Sequence, residues 1–220
     1  MTMSTLPPDS SPLETDQFLS FVRRRMAAYA ATAPHAAEAK TLLDLLRAKV
    51  IVERDASEVR LAYAAELYAL AEELYAFVAD LSRATLVQVK NDRSEPRFAR
   101  AFPKPVSEVL DGAISDAKVA YVEVALAALS AEASFVSLAP FLTDVQSQLD
   151  AVKATRVNHQ ASIVIERAAE AELKVTNSAA RDLYNTFFPK VTLLFPKRKG
   201  FVKSFFMQRH KRVSVDEQAP

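Results

Sequence analysis

Cysteine and tryptophan are absent from the 220 residues, glycine occurs twice and histidine three times. Without cysteine there is no disulfide framework, thiol nucleophile or cysteine-ligated zinc, and nothing marks an oxidising compartment, so the cytoplasm is the expected location. Gly112 and Gly200 stand too far apart to build a phosphate-cradling loop, and two glycines are too few for the turns of an all-β fold. Neither GxSxG nor HExxH occurs. None of His35, His159 and His210 has a glutamate three residues before it, which a di-iron bundle site requires. The expectation is a non-catalytic protein with no cofactor, no metal and no small-molecule substrate.

The opening MTMSTLPPDSSPLETD carries Pro, Ser and Asp where a signal peptide has a basic start and an apolar run. Residues 1–12 read as a disordered tail. The most apolar stretch, 124–142, contains Glu132 and a late Pro140 and reads as a buried helix and its turn rather than a membrane span.

What is abundant favours helix. Half of the chain is apolar, enough to bury a large core, and alanine, leucine and glutamate dominate long segments free of breakers. A helix is expected from about Leu13 to Thr32 on Phe18, Phe21, Val22, Met26 and Tyr29. After Ala33-Pro34, a stripe runs through Leu42, Leu45, Lys49, Val52, Ala56, Val59, Tyr63, Leu67, Leu70, Leu74, Phe77 and Leu81 at steps of three and four, with two consecutive fours at Val59, Tyr63 and Leu67. Residues 35–93 contain neither Gly nor Pro, so this helix is expected to extend up to roughly 90 Å at 1.5 Å per residue, and a helix that long needs partners. The prolines of NDRSEPRFARAFPKP end it. A small-residue stripe follows from Val106 to Phe135. Past Pro140, Leu142, Val145, Leu149, Val152, Ile163 and Leu173 share one face, and the pattern fades near Phe187-Phe188-Pro189.

The halves resemble each other. APHAAEAKTLLDLLRAK from Ala33 and APFLTDVQSQLDAVKAT from Ala139 align without a gap, each is preceded by a helix, and each half closes on Phe-Pro-Lys. The expected fold is therefore all-α: an elongated antiparallel four-helix bundle from two tandem αα-hairpins, 13–105 and 106–197, produced by internal duplication. A basic-aromatic C-terminal segment, 198–220, completes the chain.

Charge is unevenly spread. Residues 1–182 carry a net −5, 183–215 carry +8 with no acid, and Asp216 and Glu217 add −2. The stretch 195–212, FPKRKGFVKSFFMQRHKR, holds seven Lys/Arg and five aromatic or Met residues. Candidate interaction residues are Lys197, Arg198, Lys199, Phe201, Lys203, Phe205, Phe206, Arg209, Lys211 and Arg212. On an anionic membrane the aromatics would enter the interface while the cations face head groups; on nucleic acid the cations would neutralise phosphates. The plainer reading packs Phe201, Val202, Phe205 and Phe206 on the bundle's end as a short amphipathic helix.

Arg156, His159 and Glu166 fall on the line joining Val152 to Ile163 and beyond, and form a candidate interior polar cluster. The functional expectation is a helical bundle that binds an unknown protein partner or itself. The alternative is a peripheral membrane or nucleic-acid binder acting through residues 197–212.

Overall fold

A computed structural model describes residues 5–207. It is all-helical, with no strand among the described residues. The described parts of Met1–Ala56 and Glu166–Pro220 form one compact unit, and Ser57–Ile165 forms the other. These units do not coincide with the sequence segments 13–105 and 106–197, because each takes one half of both long helices.

The first unit is built on α1, Pro12–Ala27. Ser11 caps it by accepting the Glu14 N–H at 3.1 Å, Pro12 sits in the first turn, and Arg24 and Arg25 face the negative end of the helix dipole. Thr15, Phe18, Leu19, Val22 and Met26 make its buried stripe. A 3-10 turn, Ala30–Thr32, follows, pinned by the buried Thr32 hydroxyl donating to the Met26 carbonyl at 2.6 Å. Helix α2, Ala33–Gln88, then starts at Ala-Pro. In this unit it runs antiparallel to the C-terminal half of α6, Ala139–Leu194: Lys49 meets Glu172 at 2.5 Å and Lys190 meets Glu38 at 3.3 Å. Leu43 and Leu46 pack there with Tyr184, Phe187 and Val191. Pro189 lies inside α6, which continues past the Phe187-Phe188-Pro189 point where the sequence pattern fades. The full burial of Phe187 and Val191 on either side offsets the lost backbone bond, a cost of about 3 kcal/mol in a helix interior.

Residues 5–11 correct an expectation. They are not loose: Leu6 is 2 % exposed within the core of this unit, and the backbone of the segment is held by side chains of α6. Side-chain hydrogen bonds from another element supply the anchorage that the local composition lacks.

The second unit contains the C-terminal half of α2, which stops at Lys90 and Asn91, both left-handed at φ 56° and 62°, with the Asn91 N–H returning to the Leu86 carbonyl at 2.8 Å. Short helices α3, Pro96–Ala101, and α4, Val106–Val109, lead to α5, Asp116–Ser130, capped by Ser115. The expected continuous stripe from Val106 to Phe135 is therefore broken. Gly112, at φ +66°, turns the chain between α4 and α5, and the buried face of α5 is Val119, Val122, Ala125, Leu126 and Leu129, while Val124 is 51 % exposed. A second 3-10 turn, Ala133–Leu138, precedes α6, and the chain bends by 117° there. The apolar run 124–142 is thus divided among three elements, and no single helix among the described residues is long and apolar enough to cross a membrane. Antiparallel pairing of α2 with α6 in this unit is marked by Thr155 donating to Glu66 at 3.3 Å and Gln148 to Glu73 at 2.9 Å.

The expected α2 stripe holds in part. Leu74 and Leu81 are fully buried and Leu42, Leu67 and Leu70 pack against the core, but Leu45, Val52, Val59 and Phe77 are exposed, while Ala36, Ala39, Leu43, Leu46, Ala71 and Val78, off that stripe, are buried. Alanines share the seam, so counting large residues placed part of the line to one side.

Candidate functional site

Between the two long helices of the second unit lies an open groove of about 750 Å³. Its floor and walls come from Leu67, Tyr68 and Ala71 of α2, Arg156, Val157 and Ile163 of α6, and Ile114 and Val119 around the start of α5. The α4–α5 link closes one end. Gly112 allows that link to turn, Tyr75 donates its hydroxyl to the Gly112 carbonyl at 3.2 Å, and Lys118 donates to the carbonyls of Asp111 and Ala113 while lying 5.4 Å from the Tyr75 ring centre. Burial, with Glu72 and Asp111 nearby, pushes the Tyr75 hydroxyl above its ordinary pKa, so it remains a donor. Tyr121, which donates to the Lys104 carbonyl at 2.7 Å, is pushed up to about 12 by burial.

Arg156 and His159 both line this groove, whereas Glu166 is not among its lining residues and belongs to the other unit. Arg156 reaches out to Asp116 at the start of α5, at 2.6 Å, and that carboxylate is 96 % exposed. Lys153 likewise pairs with Glu123 of α5 at 2.6 Å. Both ion pairs tie α6 to α5 at the groove's edge rather than forming a sealed titratable site.

Beyond the groove the apolar surface continues. Leu61 and Tyr68 on α2 are 55 % and 62 % exposed, and Val157 and Val164 on α6 are 69 % and 60 % exposed. Each pair is one heptad apart, and both pairs follow the helical rows that contain the lining residues Ala64, Tyr68, Val157 and Gln160. Helix α5, which packs in this unit, starts only at Asp116 beside Arg156.

The C-terminal segment lies in the first unit. Its last described helix is α7, Lys199–Lys203. Phe205 is fully buried and Phe201 and Phe206 are half-buried; Phe201 lies 5.0 Å from Phe195 and 5.1 Å from Tyr29, and Phe206 lies 5.5 Å from Phe188. Arg25 of α1 donates to the Ser204 carbonyl and hydroxyl at 3.2 and 3.1 Å, fixing the segment to α1. Lys197, Arg198, Lys199 and Lys203 are exposed, and no ion-pair partner faces them among the described residues. Of the sequence candidates, the structure gathers the aromatics inward and leaves these four cations on the surface; Arg209, Lys211 and Arg212 lie outside the described residues.

Among the described residues no three carboxylate or imidazole groups converge in a way that would hold a metal ion. Sequence reasoning missed the groove itself. Its available signal was the heptad spacing of Leu61 with Tyr68 and Val157 with Val164, which lies off the stripe chosen for the core. Comparison with protein-family models, curated proteins and solved structures finds no match.

Proposed function

We propose that this protein is a non-catalytic helical scaffold that binds a protein partner or a second copy of itself through the apolar groove of Ser57–Ile165. The observation that carries the reading is the exposure of Tyr68 and Val157 in the groove and of Leu61 and Val164 on the same helical rows beyond it. Heptad-spaced apolar residues flanking an open channel fit the apolar face of an amphipathic helix, with anchors at successive turns. Affinity capture from the native host with wild type and the Leu61→Glu/Val157→Glu variant side by side tests it. A bound protein retained by wild type and lost by the variant supports the reading, and identical captures reject it.

The architecture under this reading is an antiparallel four-helix arrangement from two tandem αα-hairpins that arose by internal duplication. Its support is a repeated order of elements: α1 has 16 residues and α5 has 15, a 3-10 turn follows each, and α2 and α6 each have 56 residues and open on Ala-Pro. The offset that carries Pro34 onto Pro140 also carries Lys49 onto Thr155 and Glu66 onto Glu172, so the Lys49–Glu172 and Thr155–Glu66 contacts occupy equivalent places.

A second reading rests on Lys197, Arg198, Lys199 and Lys203, exposed and without acidic partners among the described residues. Together with Arg209, Lys211 and Arg212 of the sequence, they suit an anionic membrane surface or nucleic acid. Binding to anionic liposomes or DNA that falls steeply with salt and disappears on replacing the four lysines and arginines by alanine supports it; no binding by the intact chain at about 50 mM salt rejects it.

A further inference from the structure

The backbone of residues 6–10 is read by one row of α6. The Leu6 N–H donates to Asn185 Oδ1 at 2.9 Å, and Asn185 Nδ2 donates back to the Leu6 carbonyl at 3.1 Å. Arg181 donates to the Pro8 carbonyl at 2.5 Å and Asn177 to the Ser10 carbonyl at 2.8 Å. Alternate residues of the segment, Leu6, Pro8 and Ser10, thus meet every fourth residue of α6, although Pro8 and Asp9 lie in a turn closed by the Ser10 N–H donating to the Pro7 carbonyl at 3.1 Å. The row is itself braced: Arg181 is 15 % exposed, with its guanidinium held by Ser178 at 2.8 Å and Asp182 at 3.6 Å. Leu6 fills a pocket of the core, and Pro7 and Pro8 have no N–H to leave unpaired.

The segment fits one end of the row better than the other. At Asn185 both amide atoms are used, but at Asn177 the buried Oδ1 has no donor among the described residues. The N–H that would reach it, that of Ser10, turns back to the Pro7 carbonyl at 3.1 Å instead. A ligand extended through this position would satisfy both atoms, as Leu6 does at Asn185.

We propose that the Asn177, Arg181 and Asn185 row is a recognition site for an extended segment of another protein carrying an apolar residue followed by Pro-Pro, which the chain's own residues 6–10 occupy as an internal competitor. A second copy is a poor source of that segment. Its arm passes at Ser11 directly into a helix, and α1 of the host already starts at that end of the row. The site lies wholly in the unit containing α1 and stands independently of the groove in Ser57–Ile165.

The test uses the full chain with Leu6→Asp, which places a charge in the pocket and releases the arm, and a fluorescein-labelled peptide TLPPDSS. Anisotropy is expected to show saturable binding to this variant, about tenfold weaker binding to wild type and to Leu6→Asp/Asn185→Ala, and little binding of TAPPDSS. Absence of saturable binding by a Leu6→Asp protein with native circular dichroism, or equal binding after Asn185→Ala, overturns the proposal. Hydrogen exchange on the wild-type chain gives a reading independent of how that variant folds. Excess peptide should raise exchange at the Leu6 amide severalfold by displacing the arm, and unchanged exchange at the highest peptide concentration also overturns it.

Discussion

Arg47 of α2 clasps Asp16 of α1 through two nitrogens, Nε at 2.5 Å from Oδ2 and Nη2 at 2.8 Å from Oδ1, while Nη2 also donates to Ser20 at 3.0 Å. The hydrogen bonds from Arg47 hold the Asp16 carboxyl below its ordinary value of 3.8, with burial opposing them. A depressed folded-state pKa contributes stability that is complete above the unfolded value and is lost as pH falls through the folded one. Asp16→Asn should therefore cost about 1 kcal/mol or less at pH 7, since Arg47 is half exposed, and the difference from wild type should shrink below pH about 4. Urea midpoints measured from pH 7 to pH 2 check this, and a constant gap across that range would contradict it.

Gly112 supplies a different kind of constraint. A Cβ added there meets nothing within 4 Å, so the cost of Gly112→Ala is conformational alone, set by φ +66°. The expected loss is about 1 kcal/mol in denaturant unfolding. A neutral or stabilising effect would show that the link between α4 and α5 does not need the left-handed turn.

The C-terminal segment makes opposite predictions for its two faces. Phe205 is fully buried among Tyr29, Phe195 and Phe201, so Phe205→Ala should destabilise by about 3–5 kcal/mol. Lys199→Ala, on the exposed face, should stay within about 0.5 kcal/mol of wild type. Thermal melts of both variants separate a docked segment from one lying free of the core, in which neither change would matter.

The all-helical class was legible from scarce glycine and long breaker-free segments, and both Ala-Pro pairs, Ala33-Pro34 and Ala139-Pro140, do open long helices. Proline at a first turn is a local signal, set by fixed φ and a missing N–H, and survives without tertiary information. The α2 seam was not legible in the same way. Where alanine and large apolar residues surround the whole helix, several stripes satisfy the same period, and packing alone selects Leu43 and Leu46 over Leu45 and Val52.

Long-range pairing was hidden for a related reason. Nothing adjacent to LPPDSS announces that Asn177, Arg181 and Asn185 will hold it, because the two strings are far apart in the chain and only their spacings of two and four correspond. Arg156 was singled out for its place on an apolar line, but its partner is Asp116 of α5, which no periodicity of α6 could name. The docking of Phe205 and Phe206 was one of the readings open from the sequence, and the i,i+4 spacing of Phe201 and Phe205 suited it without deciding it.

The proposed occupant of the groove lined by Tyr68 and Val157, whose apolar rows continue to Leu61 and Val164, is another protein chain. A photo-crosslinking residue placed at Val157 in the full chain, expressed in its native host, tests this most directly. The expected result is a discrete crosslinked product, a partner or a second copy, that is lost on adding Leu61→Glu and is absent when the crosslinker replaces the exposed Asp150. No discrete product at position 157, or the same products at 157 and 150, would contradict it.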